Sequence, residues 1–179
     1  MSKIPADSFS FGAVNSLTDW GIRAVKYDVL TPAKRPRKVQ IPMRSGMYDY
    51  GAVCWEERTV RIECTLERKI SRSELREIAG ALSQKSRLRL WDEPDKYYVG
   101  ELYDPAETLD YYDEALRDFT LNFVCEPFAY GSTVTHPIAS GENRIGYRGT
   151  AETPCVIVLN NQSGAEAQTV TITAVKRSV

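Results

Sequence analysis

The stretch TVRIECTLE, residues 59–67, is the most regular strand pattern in the chain. Every second residue is apolar and the residues between are polar, which is the period of a strand with one buried face. The apolar positions are Val60, Ile62, Cys64 and Leu66. This stretch predicts a sheet with a single core face, and the neighbouring elements are interpreted from it.

A helix is predicted directly after this strand. Residues 71–74 (SRSE) form a capping box, in which Ser71 is the N-cap and Glu74 reaches back to the free backbone N–H. Apolar residues then recur at helical spacing, namely Leu75, Ile78, Ala79 and Leu82. The pattern predicts one amphipathic helix over residues 72–84 that covers one face of the sheet.

Further strands are predicted on both sides of this pair. Alternating or strand-rich segments occupy residues 9–15, 24–30, 87–91, 97–103 and 118–125. Pro94 in the acidic turn 92–95 joins two of them into a hairpin, and Glu126-Pro-Phe128 ends the last. Trp20, Trp55 and Trp91 are predicted to anchor the core, since large aromatic side chains dominate burial. The fold class is therefore mainly β, a β-sandwich-like domain with one α-helix.

The character of the chain changes after Tyr130. Residues 131–149 are rich in Gly, Ser, Thr and Pro, so a boundary is predicted that separates domains 1–131 and 132–179. Two further strands are predicted at residues 155–159 and 169–175. Two strands alone are marginally stable, so this tail either packs on the first domain or is a truncated or reduced C-terminal β segment.

The composition restricts the function. The chain has 179 residues, 42% apolar residues, 26% charged residues and a formal net charge of −1. The near-zero charge argues against nucleic-acid recognition. No apolar run is long enough for a membrane span, and the first residues lack an apolar signal core. We therefore expect no membrane insertion and no Sec export, and synthesis in a cytoplasm.

Catalytic, metal and cofactor motifs are not evident. The four cysteines form no CxxC pair, and Cys64 and Cys125 fall on apolar strand positions, where they act as small buried hydrophobes. The one histidine, His136, lies in the boundary loop. A carboxylate cluster, Asp110, Asp113 and Glu114, lies in a polar loop where turn formation is the commoner role. We expect no enzyme activity, no metal and no cofactor.

The segment before the first strand pattern is unusual. Residues 31–38 carry two prolines and four basic residues, which predicts a solvated loop. Residues 41–51 (IPMRSGMYDYG) then predict a turn-rich aromatic loop. The Met and Tyr content is typical of an interface core, so Arg44, Met47, Tyr48 and Tyr50 are candidate oligomer contacts. The alternative is a loop folded back on its own domain.

The order of these features resembles a known family. The segments FSFG (9–12), DWGIR (19–23), IPMRSG (41–46) and EPF (126–128) frame a long strand, one helix and a hairpin. Over residues 8–131 this order resembles the distal tail protein of long-tailed, siphovirus-type bacteriophages and prophages. In that family a Gly usually stands in place of Met43, and an Asp often stands in place of Ser45.

The resemblance implies a structural virion protein and a β-hairpin extension on the domain. It implies a homo-hexameric ring at the distal end of the tail, between the tail-tube protein and the tail-associated lysin or baseplate hub. It also implies a galectin-like C-terminal β-domain. A carbohydrate-binding β-sandwich without catalytic activity is the alternative, motivated by aromatic residues and the polar loop 104–114.

Overall fold

The structure is a computed structural model of the chain. It describes residues 4–51, 54–104, 118–151, 153–160 and 171–173. The contacts between residues are concentrated within two compact units of the chain, Met1–Pro137 and Ile138–Val179. This grouping concerns contacts alone, and the domains 1–131 and 132–179 stay a prediction.

The described residues are mainly β with one helix, as the sequence predicts. The elements in chain order are β1 (Phe9–Phe11), β2 (Val14–Asn15), β3 (Ile22–Val29), β4 (Lys34–Arg35), β5 (Lys38–Gln40), β6 (Met47–Asp49), β7 (Cys54–Trp55), β8 (Arg58–Leu66), α1 (Arg72–Leu82), β9 (Ser86–Leu90), β10 (Lys96–Asp104), β11 (Asp118–Cys125) and β12 (Tyr130–Gly131). No helix in the described parts of the chain is both long and apolar enough to cross a bilayer.

Eight strands form one antiparallel sheet, which we call the body sheet. Seven of them run in the order β2-β1-β9-β10-β11-β8-β3, and β12 pairs with β10. The pairing of β9 with β10 is the hairpin that Pro94 predicts. The longest ladder joins β8 to β11, where Val60 faces Phe123 and Ile62 faces Leu121. The strand predicted from residues 59–67 is thus a central element of the fold.

The body sheet curls over its own core. β1 and β11 are separated by two strands, so their side chains would lie about 14 Å apart in a flat sheet. The ring centroid of Phe123 nevertheless lies 5.9 Å from Phe9 and 5.4 Å from Phe11. One face of the sheet therefore closes on itself, which gives a sandwich-like layer around a shared core.

The core has the alternation that the sequence predicts. β11 alternates buried and half-buried residues, and β8 buries Val60, Ile62 and Cys64. Cys64 and Cys125 are both buried, and burial raises the pKa of each thiol to about 12. These cysteines act as packing residues, as predicted.

Helix α1 begins at the predicted capping box. The Glu74 backbone N–H donates to Ser71 Oγ at 3.3 Å, and the Ser71 N–H donates to Glu74 Oε2 at 2.8 Å. The helix ends at Leu82, two residues before the predicted end, and Ser83 is its C-cap. Ile78 and Leu82 join the buried core, and Leu75 packs against it.

The predicted strand at residues 155–159 is wrong. The structure gives these residues no strand assignment, and Val156 is 89% exposed. A strand needs a hydrogen-bonded partner, and none pairs with this stretch among the described residues. Residues 171–173 are likewise outside any strand, and the rest of the predicted strand 169–175 lies beyond what the structure describes.

Candidate assembly surface

Residues 33–56 form one long hairpin, which we call the hairpin arm; residues 52 and 53 lie outside the described parts. Two short ladders are nested in it, β4 with β7 and β5 with β6. Backbone bonds continue the pairing between the ladders, with Glu56 N–H to Ala33 O at 2.8 Å and Tyr50 N–H to Arg37 O at 2.9 Å. The predicted loops 31–38 and 41–51 are therefore wrong in part, since each contributes a leg of this hairpin.

The sequence explains where the arm turns. Arg44 N–H donates to Ile41 O at 3.2 Å, which closes a turn with Pro42 at its second position. Met43 at the third position has φ of 65°, as a type II turn requires and as glycine adopts most easily. Met43 occupies the turn with its side chain fully exposed.

The structure places the four predicted contact residues together on one leg and the tip. Tyr48 and Tyr50 meet edge to face, with ring centroids 4.8 Å apart. Arg44 lies over Tyr48 with its guanidinium carbon 5.1 Å from the ring centroid, and Arg37 lies 5.7 Å over Tyr50. Met47 begins the same strand. The aromatic rings thus pack on each other and on arginines of the arm.

The hairpin arm has no core of its own. Every described residue from 33 to 57 is exposed, and none of the arm's apolar residues packs against the body core. The exposed apolar residues are Val39, Ile41, Met43, Met47, Tyr48, Tyr50 and Trp55. An isolated two-stranded hairpin is marginally stable in water. The arm therefore presents an exposed apolar and aromatic surface.

The arm also carries a local positive charge. Five basic residues and no acidic residue lie between residues 34 and 44. Two of the described basic side chains are engaged near the base of the arm, where Lys34 lies over Trp55 and Arg35 pairs with Glu56 at 3.7 Å. The tip combines apolar side chains with guanidinium groups, a composition typical of interfaces.

Trp55 lies in the hairpin arm, so the prediction that it anchors the core is wrong. It is exposed, and its ring meets Phe128 of the body at 6.1 Å between centroids. Trp20 and Trp91 do pack against the core. The difference follows from position, because the arm leaves the body sheet between β3 and β8 and has no second layer to bury a ring.

The edges of the body sheet are mostly closed. Ile22 N–H donates to Ser16 O at 2.7 Å and Ala24 N–H donates to Asp7 O at 2.8 Å, so the start of β3 is covered. A register shift between Ala24 and Lys26 interrupts the rest of β3. Bulges and charges of this kind discourage strand addition. The strands of the arm, two or three residues each, pair only with each other among the described residues.

The residues considered for chemistry give no assembled site. His136 is exposed and lies outside any helix or strand. Asp110, Asp113 and Glu114 lie outside the described residues, as does most of the polar loop that motivated the carbohydrate-binding alternative. No group of three or more metal-ligating side chains occurs in the part of the chain that the structure describes.

Comparison with protein-family models gives no match, and neither does comparison with curated proteins. Among solved structures, the chain is similar to the crystal structure of the Dit protein (gp 19.1) of SPP1, presented as a paradigm of the hub adsorption apparatus in phages that infect Gram-positive hosts. The identity is 20% and the TM-score 0.53, over 70% of this chain and 52% of that one. This chain therefore spans about half the length of SPP1 Dit, and the likeness shows a shared fold.

Proposed function

We propose that the chain is a structural, non-catalytic component of a phage tail, an adaptor at the distal end that assembles as a hexameric ring. The fold shared with SPP1 Dit supports a tail role. The observation that carries the assembly role is the hairpin arm, which exposes aromatic and Met side chains without a core to receive them. A contiguous apolar surface of this kind is typical of a site that a partner protein covers.

The arm supplies the contact between copies. A head-to-tail contact uses two different surfaces, and it closes into a ring when the rotation between neighbours allows it. The arm of one copy is then buried against the body of the next. Tyr48 and Tyr50 act as anchors, because they are large, rigid and already ordered by their ring contact. In the virion, the ring binds the tail-tube protein on one side and the tail-associated lysin or hub on the other.

The test begins with the assembly state of the purified full chain. Light scattering coupled to size exclusion gives the mass at several concentrations, and negative-stain imaging gives the symmetry. We expect the mass of a hexamer, or a concentration-dependent approach to it, and ring-shaped particles. A stable two-fold dimer that buries the arm symmetrically would contradict the proposal.

The contact itself is tested by replacing both tyrosines, Tyr48→Ser with Tyr50→Ser. Truncating an aromatic anchor commonly costs about 2 kcal/mol of binding free energy, or roughly thirtyfold in affinity. We expect the ring to dissociate at concentrations where the unchanged chain assembles, while the thermal melting of the monomer stays the same. Tyr103→Ser is the matched control, because Tyr103 is an exposed tyrosine of the body sheet. An intact ring with a lower melting temperature would show that the tyrosines stabilise their own chain instead.

A further inference from the structure

A second surface of the body carries a charge pattern that the ring does not require. An open groove of about 550 Å³ lies between the turn after β1 and the strands β9 and β10. Its lining residues are Gly12, Ala13, Lys85, Ser86, Arg87, Arg89, Tyr97 and Val99. None of these residues belongs to the hairpin arm.

The groove lies on the outer face of the body sheet. Leu88 and Leu90 of β9 point into the core, so Arg87 and Arg89, which alternate with them, point outward. The backbone of Gly12 borders the groove with φ of 64°, and a Cβ there would lie 2.9 Å from Ser86 Oγ. Glycine therefore keeps this side of the groove free of a side chain.

Two guanidinium groups are held in the groove without an acidic partner. Arg87 and Arg89 lie over the ring of Tyr97, with their guanidinium carbons 4.8 Å and 5.6 Å from its centroid. Neither makes an ion pair with a carboxylate among the described residues, whereas Lys85 is paired with Glu126 at 2.6 Å. The unneutralised positive charge of the groove thus comes from the two arginines.

The spacing of Arg87 and Arg89 along β9 indicates the class of ligand that fits the groove. Side chains two residues apart on a strand repeat about every 6.7 Å, and the same repeat separates alternate side chains of an extended peptide. Each guanidinium can bind a carboxylate through two parallel N–H···O bonds. We propose that the groove binds an extended acidic segment of a partner protein, with Asp or Glu at alternate positions.

The aromatic surroundings argue against a sugar in this groove. Tyr97 stacks on Tyr130, with centroids 5.7 Å apart and 27° between the planes, and it also receives both arginines. A sugar would need an uncovered aromatic face, and this ring is already engaged by a second ring and two cations. Tyr97 and Tyr130 instead fix the arginines in the positions where an acidic chain meets them.

The experiment uses two synthetic eight-residue peptides with four Glu and four Thr each. One alternates Glu and Thr, and the other places the four Glu together. Binding to the full chain is measured by calorimetry at an ionic strength of about 0.1 M. We expect the alternating peptide to bind more tightly than the blocked one, and R87Q with R89Q to weaken it roughly tenfold or more.

A matched charge control is available in the same chain. R61Q with R76Q removes the same net charge from two exposed arginines outside the groove, neither of which pairs with a described carboxylate. We expect less than about a twofold change in this variant, since charges in water are screened over about 10 Å. Thermal melting checks that both double variants remain folded.

Four results would overturn the proposal. The first is no binding of the alternating peptide, and the second is equal binding of both peptides. The third is a control variant that loses as much affinity as R87Q with R89Q, which would indicate unspecific attraction. The fourth is tighter binding of tripolyphosphate or a neutral hexasaccharide than of the peptide, which would assign the groove to another class of ligand.

Discussion

The body sheet and the hairpin arm are both antiparallel β structure, and they differ in what holds them together. In the body sheet the ladder is backed by side chains such as Phe9, Ile62 and Phe123 that are fully buried. In the arm the same kind of ladder carries Met47 and Tyr50, which are 63% and 57% exposed. Net hydrogen-bond energy in water is modest. The body is therefore stabilised by its own core, and the arm depends on the body or on a partner.

The largest expected effect lies at the centre of the body. Phe123→Ala removes a fully buried ring that contacts Phe9 and Phe11 across the curled sheet. We expect a loss of about 3–5 kcal/mol in the free energy of unfolding, because the cavity cannot be filled by small movements. Urea denaturation followed by circular dichroism measures it. A loss below about 1 kcal/mol would show that β1 and β11 do not share a core.

The presence or absence of a buried face also explains which elements the sequence could predict. Strands β8 and β11 were predictable because one buried face imposes apolar residues at every second position. Helix α1 was predictable because Ser71 and Glu74 form its cap. A strand without a buried face leaves no such pattern, and the two prolines and basic residues of 31–38 favoured a loop. The residue pattern therefore did not predict the arm as a hairpin, although Arg44, Met47, Tyr48 and Tyr50 were selected by type as candidate contacts.

Two other features could not be derived from local sequence. Residues 155–159 have an apolar run typical of a strand, but the pairing partner that a strand needs is not specified by the run itself. In the groove, Arg87 and Arg89 occupy the polar positions of an alternating strand. Their shared contact with Tyr97 depends on the register between β9 and β10, which is a property of the folded sheet.

The next largest effect concerns the helix that covers the core. Ile78→Ala should lower the free energy of unfolding by about 2–4 kcal/mol, because Ile78 is buried in the core. Leu75→Ala should have a smaller effect, since Leu75 is only half-buried against that cluster. Chemical denaturation of both variants gives the order. Equal effects, or a larger one for Leu75, would contradict the way the helix lies on the sheet.

A smaller effect is expected at the start of the same helix. Ser71→Ala should cost about 1 kcal/mol through the lost cap. The hydrogen bonds from the Ser71 backbone and side chain, then that from Arg68, lower the pKa of Glu74 below its ordinary value of 4.5. Because the pKa is lowered in the folded chain, this stabilisation is present above pH 4.5 and is lost as the pH falls through the folded value.

Glu74→Gln separates the charge from the rest of the cap. We expect its melting temperature to fall below that of the unchanged chain at pH 7 and the difference to narrow as the pH drops below 4.5. Glu77→Gln is the matched control, because Glu77 is an exposed carboxylate of the same helix. A difference that stays constant down to about pH 3 would show that the carboxylate of Glu74 does not act through its charge.

We expect removal of the whole hairpin arm to have the smallest effect on the free energy of unfolding of the body. The arm is inserted between β3 and β8, and these strands already meet at its base, where Val29 pairs with Val60 and Leu30 N–H donates to Thr59 O at 3.1 Å. Replacing residues 32–57 by Asn-Gly would join the two strands through a tight turn of the kind that suits a hairpin.

We expect this deletion to change the free energy of unfolding by less than about 1 kcal/mol, since the arm buries no part of the core and shortening a connection reduces the entropy of closing it. The contact between Trp55 and Phe128 is the one aromatic contact with the body that the described arm would lose. The single substitution Trp55→Ser measures how much this contact contributes to the free energy of unfolding.

Light scattering on the deleted chain should at the same time give a monomer at every concentration tested. A deleted chain that fails to fold would place the arm among the elements that stabilise the body. A deleted chain that still forms rings would remove the arm from the contact between copies. Only a folded monomer fits a body that is stabilised by its own core and an arm that is stabilised by a neighbour.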